Sequence, residues 1–254
     1  MFDPFGDFES AGYLRNIQSL KDENLVKRIE HEVFRANLTD AIAFLSKRKT
    51  IVYDDFLSVH RILFSDFYPW AGQDQLKTAP TIAVSKASVL FCHPIDAIRA
   101  VSEGLRIAQH GAMRRALGEV MGLFAYGHPF LDGNGRTMLI VHSELCYRAG
   151  FPVNWAETTK SDYLNALSRE IASPKDQALN EYLSRFIGPK VPRARWIESM
   201  AAIGGLDGAD VRVSDAVDGD FRDDAVLERY RNHVAQRRCA AGSPAASDGD
   251  GPHR

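Results

Sequence analysis

The sequence predicts a mostly α-helical bundle with one β-hairpin, followed by a C-terminal helical extension. Three observations predict it. Apolar residues recur at helical spacing through most of the segment from residue 23 to residue 186. One stretch, Thr81 to Phe91, reads as strand, turn and strand. Beyond Gly188-Pro189 and Pro192, two short helical patterns at 193–203 and 223–237 precede a run of Ala, Gly, Ser, Pro and Asp. The expected organisation is a core domain over residues 1–190, a helical extension over 191–238 and a disordered tail over 239–254.

Residues 1–20 contain the breakers Pro4, Gly6 and Gly12 and read as an irregular lead-in. Asp22 can cap a long helix from Glu23 to Ser46, with Leu25, Ile29, Val33, Ala36 and Asp40 tracing one helical face beside Val26 and Leu38. Lys47-Arg48-Lys49 closes it, cations placed where the helix dipole favours them. A second helix spans Tyr53 to Phe64, with Phe56, Val59, His60 and Leu63 inward and His60 read as a core or edge histidine. Tyr68-Pro69-Trp70-Ala71-Gly72 is a turn with an aromatic anchor. The hairpin follows. It must lie on the helices, because a lone hairpin is weak in water, and it is expected to leave an unpaired edge. A partner's extended segment could add to that edge as a strand.

His93-Pro94 stops the strand, and helices are expected over Asp96–Gln109 and Ala112–Tyr126. After Asn134 a helix runs to Ala149, with Gly150 as a left-handed cap. Met138, Leu139, Ile140, Val141, Leu145 and Cys146 make that helix apolar nearly all round, hence central and buried. Ser161 is expected to cap a helix over 162–172, and Pro174 to restart the last core helix through Leu179, Leu183 and Phe186.

Composition narrows the function. Of 254 residues, 45% are hydrophobic and 25% charged, the profile of a globular protein. A formal net charge of −2 argues against a general nucleic-acid binder. The three cysteines, Cys92, Cys146 and Cys239, fit neither a zinc spacing nor a disulfide framework. No apolar run approaches membrane-spanning length, and the first residues carry no signal-peptide pattern. A cytoplasmic setting, with no membrane partner, is the expectation.

Chemistry concentrates in His128-Pro129-Phe130-Leu131-Asp132-Gly133-Asn134-Gly135-Arg136, between two apolar helices. His128 can change charge near neutral pH. Asp132 is a carboxylate beside a phosphate-binding turn, which suits Mg²⁺. Gly133, Asn134 and Gly135 can direct backbone N–H groups at an anion, and a helix starts there. Arg136 is a cation in a first helical turn, which makes sense if it grips phosphate. Singly, each residue has a plainer reading: a helix-end histidine, an Asp-Gly turn, an N-cap, a surface charge, with Phe130 as a core anchor. The combination at this spacing is what points to phosphoryl chemistry.

The stretch resembles the signature of the Fic (filamentation induced by cAMP) family, His-x-Phe-x-Asp/Glu-Gly-Asn-Gly-Arg-x-x-Arg, and matches it from His128 to Arg136. The likeness extends over about residues 12–188, including the 68–72 turn, the hairpin and Trp155 through Tyr163. The resemblance implies a Fic-type helical bundle whose hairpin is a flap. It implies a protein adenylyltransferase that moves AMP from ATP to a Ser, Thr or Tyr hydroxyl of a target protein with Mg²⁺. His128 would be the general base and Asp132 the metal ligand. Gly133, Asn134, Gly135 and Arg136 would bind the nucleotide's phosphates. Thr81, Ile82, Ala83 and Val84, with the hairpin up to Lys86, would pair with the target's backbone. A small antitoxin-type inhibitor is a further partner that the resemblance allows.

The signature's last Arg falls on Leu139. In the family that Arg holds the terminal phosphate and pairs with an inhibitory glutamate. Its replacement opens two alternatives: transfer of another phosphate-containing group such as UMP or phosphocholine, or a non-catalytic nucleotide-binding regulator. Gly135, where Doc-like kinases carry Lys, separates the chain from those. Ser19-Leu20-Lys21-Asp22-Glu23-Asn24 matches the family's inhibitory pattern, but its place at a helix start reads as ordinary capping, with Ser19 or Asp22 as the cap.

Overall fold

A computed structural model of the chain describes residues 2–86, 89–203 and 215–240, the last three by their backbone alone. The expected 239–254 tail lies almost wholly outside the described residues, as do the hairpin's tip at 87–88 and most of the segment joining the two C-terminal helices. In chain order the elements are α1 Phe8–Ala11, α2 Glu23–Ser46, α3 Tyr53–Phe64, α4 Gln75–Thr78, β1 Ile82–Lys86, β2 Val89–Leu90, α5 Pro94–Ile107, α6 Leu117–Gly127, α7 Asn134–Arg148, α8 Lys160–Ala172, α9 Ala178–Ser184, α10 Arg193–Ala201, β3 Ala216–Asp220 and α11 Asp224–Ala240. The protein is mostly helical with a small antiparallel sheet, as the patterning predicts. Among the described residues no helix is long and apolar enough to cross a membrane.

α7 is the centre. Its side chains from Arg136 through Cys146 are all buried, and it packs against α2, α3 and α6. α6 in turn packs on α5, α8 and α9. The two helices that flank the loop are therefore the two most enclosed, and the loop inherits their rigidity.

α2 runs as expected, with Asp22 Oδ1 accepting from the N–H groups of Asn24 and Leu25. Its buried face is centred on the line through Val26 and Leu38, beside that of Leu25, Ile29 and Val33. Val26, Glu30, Phe34, Leu38, Ala41, Ile42 and Leu45 are buried, while Ala36 and Asp40 are exposed and Leu25, Ile29 and Val33 only half-buried. The reason is polar: Glu30 and His31 point inward, and a stripe sought by hydrophobicity cannot find them. The helix expected from Ala112 starts instead at Leu117, after a wide turn over Ala108–Ala112 that Gly111 makes at φ +80°. α8 is capped by Thr159, whose hydroxyl accepts from Asp162 N–H, rather than by Ser161.

The sheet order is β2-β1-β3. β1 and β2 form the expected hairpin, with Ser85 opposite Leu90 and Lys86 opposite Val89. The expected unpaired edge of β1 is not free: β3, from the C-terminal extension, runs antiparallel along it. Phe221, Val226 and Tyr230 follow that strand into a small apolar cluster with Ala83, Cys92 and Ala97.

Candidate active site

His128 ends α6 in a left-handed conformation, φ 37°, ψ 55°. For a residue with a Cβ this costs about 1–2 kcal/mol, and it turns the ring back toward the start of α7. The imidazole stacks on Phe91, ring centroids 3.6 Å apart and nearly parallel. Its Nε2 lies 3.1 Å from Asn134 Nδ2 and 3.0 Å from Asp215 Oδ2. The loop carbonyls are held from outside: Gln75 donates through its side chain to the carbonyls of His128 and Phe130, and through its backbone to that of Pro129.

Asn134 is the internal clamp. Its Oδ1 accepts from Phe130 N–H at 2.9 Å and its Nδ2 donates to the Phe130 carbonyl at 2.6 Å. This fixes the amide's orientation, so the group facing His128 Nε2 is the NH₂. The expected phosphate role of Asn134 then falls to its backbone N–H, at the N-terminus of α7, where no side chain caps the helix. Gly133 stands at φ +75°, and a Cβ there would lie 2.6 Å from Phe64 Cε2 and 3.0 Å from His60 Nε2. Gly135 borders open space.

His60 is a core histidine, as expected, and it supports the loop. Its ring stacks on Phe130 at 3.7 Å. Nδ1 accepts from Gly72 N–H at 2.9 Å, so the proton is on Nε2, which donates to the Asp132 carbonyl at 3.0 Å. Burial pushes its pKa down to about 3.

The charged residues of the loop are paired within the chain. Asp132 accepts from Gly133 N–H through Oδ1 and pairs with Lys27 through Oδ2. Burial alone would raise the Asp132 carboxyl, but Lys27 and Arg136 overrule it and hold it well below the usual range. Arg136 is expected to face a phosphate. Instead it lies beneath the loop, 3% exposed, paired with Glu30 of α2 and 3.7 Å from Asp132. Its guanidinium sits over Phe64 at 4.7 Å and Phe34 at 5.6 Å. Glu30 is fully buried, and burial keeps its carboxyl above the usual glutamate range despite Arg136 and Lys27. Leu139 is buried in the core. Glu23 sits in the first turn of α2 and accepts from Tyr13 Oη. Asp22, not Ser19, is the cap there.

The flap residues are engaged too. Thr81 Oγ1 donates to Asp220 Oδ2 at 3.1 Å, and Ile82, Ala83 and Val84 lie opposite Asp220, Gly219 and Val217. Sequence reasoning missed Lys27, Glu30, Gln75 and Asp215. Only Glu30 left a trace, four residues after Val26 and eight before Leu38 on one helical line.

Asp132 is one carboxylate next to the uncapped helix start, a donor set suited to Mg²⁺ with phosphate oxygens and water completing its shell. No group of three or more His, Cys, Asp and Glu able to hold a metal occurs among the described residues. The fit is therefore to a metal that arrives with phosphate.

Residues 50–146, which contain this loop and the flap, match the model of the Fic/DOC family. Over that stretch the chain is similar to the Fic/DOC family. It is 27% identical over 172 residues to "Probable protein adenylyltransferase y4lH" of Sinorhizobium fredii, covering 63% of this chain and 83% of that one. It is 26% identical over 173 residues to "Protein adenylyltransferase VbhT" of Bartonella schoenbuchensis, covering 65% of this chain but only 35% of that longer protein. In fold it is similar to BepC of Bartonella tribocorum, solved with bound AMPPNP: TM-score 0.56, 16% identity, 72% of this chain and 96% of that chain.

Proposed function

We propose that this protein transfers AMP from ATP to a Ser, Thr or Tyr hydroxyl on a target protein. The observation that carries the reading is the placement of one imidazole nitrogen. His128 Nε2 sits within 3.1 Å of the first residue of α7, beside the uncapped helix N-terminus, and the Asp215 carboxylate bridges it to Lys86 at the end of β1. A base, an anion-binding helix start and a strand edge thus meet at one point.

In the proposed reaction an extended target segment pairs with β1 and brings its hydroxyl to His128. Nε2 takes the hydroxyl proton, and the oxygen forms a bond to the α-phosphorus of ATP. The bond from that phosphorus to the bridging oxygen breaks, and pyrophosphate leaves with the electron pair. The backbone N–H groups of Asn134 and Gly135 bind phosphate oxygens, and Asp132 holds Mg²⁺, which neutralises phosphate charge when bound. The rigid loop provides position, which dominates this chemistry.

One feature favours a second reading. Leu139 is in the core, and Arg136 is committed to Glu30, so the donor's terminal phosphates meet an unusual cation set. Lys27, on Asp132 and 3.9 Å from Glu30, is the cation nearest to hand. This favours UMP or phosphocholine donors, or nucleotide binding without transfer, over a standard AMP site. Incubation of the full chain with Mg²⁺ and each donor, read by mass on the protein and on cell-extract targets, separates these. An added AMP that disappears in His128→Ala supports the main reading. No added group from any donor, with nucleotide binding intact in His128→Ala, refutes it in favour of the binding regulator.

A further inference from the structure

β3 lies along the same edge of β1 that the proposed function gives to a target. Ile82 is opposite Asp220, Ala83 opposite Gly219, Val84 opposite Val217 and Ser85 opposite Ala216, with a bulge at Ala83/Val84. The strand begins at the base. Asp215 Oδ2 is 3.0 Å from His128 Nε2, and its Oδ1 is 2.9 Å from Lys86 Nζ. At the far end Asp220 accepts from Thr81 Oγ1, and Phe221 N–H donates to the Thr81 carbonyl at 2.6 Å.

We propose that residues 215–220 are an internal occupant of the target-docking edge, with Asp215 in the acceptor's place, and that this strand must leave before a target can dock. The inference rests on the proposed function for the meaning of that edge and adds its regulation.

Three observations carry it. A strand edge offers a single row of N–H and C=O groups, so β3 and a target strand exclude one another. Asp215 also disarms the base. Its carboxylate stands 3.0 Å from Nε2, in the place a target hydroxyl must take to give up its proton, so the two cannot face the nitrogen together. Finally, the strand is held by polar contacts more than by apolar burial, among them the donation of Arg229 of α11 to the Asp218 carbonyl and carboxylate. Its sequence is Ala-Val-Asp-Gly-Asp, Ala216 and Val217 are exposed, and Gly219 weakens it. The apolar anchor, Phe221, Val226 and Tyr230, lies after the strand, so β3 can swing away while α11 stays docked.

The test uses the full chain and two variants. Gly219→Val expels the strand: the position has φ +147° and a Cβ would lie 2.7 Å from Val226 Cγ2. Asp215→Ala with Asp220→Ala removes the side-chain anchors at both ends, and serves if the first variant does not fold. The probe is a labelled peptide of this chain's own residues 215–222 bearing Asp215→Ser. With the strand docked in nine or more of ten wild-type molecules, apparent affinity falls by that fraction. Both variants should therefore bind the peptide at least about tenfold tighter than wild type, with amide exchange at residues 82–86 faster to a similar degree. Equal affinity for all three proteins, or binding to none, overturns the inference and makes β3 a fixed third strand. Whether ATP and Mg²⁺ then add mass to the bound peptide is read separately. Selective binding without added mass refutes the transfer reaction and leaves strand exchange standing.

Discussion

Replacing Glu30 tests whether Arg136 is held in reserve for phosphate. Glu30 is fully buried and Arg136 nearly so, and they pair with one another. Glu30 Oε2 and one terminal nitrogen of Arg136 have no hydrogen-bond partner. Glu30→Ala leaves a buried guanidinium facing only Phe34, Phe64 and the more distant Asp132. Breaking a buried pair from one side costs about 3–5 kcal/mol. At roughly 2–4 °C per kcal/mol for a chain of this size, melting falls by about 10 °C. Glu30→Gln keeps an acceptor and removes the charge, so its loss should be smaller. The ligand effect runs the other way. Without the carboxylate, phosphate becomes the available partner for Arg136, and ATP with Mg²⁺ should raise the melting temperature of either variant by more than it raises wild type. A tenfold gain in affinity corresponds to about 1.4 kcal/mol. Thermal melts with and without ATP·Mg²⁺, backed by calorimetric affinities, measure both halves. An equal or smaller nucleotide shift in the variants would show that Glu30 and phosphate do not compete, and the reserve would be a purely structural pair.

Four further outcomes are expected. His128→Ala should reduce transfer by about 10²–10⁴-fold, the range for a general base, while nucleotide affinity measured by calorimetry changes little. Asp132→Ala should weaken nucleotide binding only when Mg²⁺ is present; equal affinity with and without the metal in both proteins would end the metal role. Gly133→Ala, forced against Phe64 and strained at φ +75°, should destabilise by about 1–3 kcal/mol in urea titration. Stability should fall as pH drops below about 6.5, because burial lowers His60 to about 3 and His142 to about 4. Unfolding lets both histidines take up protons that the fold denies them. At pH 5 each contributes about 2 kcal/mol of destabilisation relative to pH 7, and His142→Gln should flatten part of that slope in melts across pH.

How far the sequence revealed this depends on the kind of signal. α3, α6 and α7 follow from apolar spacing because water decides which faces are hidden, and α7 was legible as central because nothing polar interrupts its run from Met138 to Val141. The loop was legible as a unit because His128, Asp132, Gly133 and Arg136 are costly together. The direction of Arg136 was not. Its placement depends on Glu30, Phe34 and Phe64, which lie on other helices and meet it only in the fold. β3 was invisible for a related reason: Ala-Val-Asp-Gly-Asp has no alternation, and it is a strand because β1 offers it an edge.

The three charged or titratable partnerships of the loop differ in how readily they can open. Asp132 and Arg136 are answered by Lys27 and Glu30, both on α2, a long helix packed into the core. His128 is answered by Asp215, at the end of a short and partly exposed strand. Local opening is easiest where little apolar surface must be exposed, so strand release should precede any change in the α2 pairs. Target access and nucleotide access would then be controlled separately, one by the C-terminal segment and the other by α2. Amide exchange can order the two events. Residues 82–86 should exchange well before the amides around Glu30 in wild type, and saturating ATP·Mg²⁺ should speed the second group without changing the first. Simultaneous exchange of both regions would mean that a single opening governs the whole site, and the separation of its two controls would be wrong.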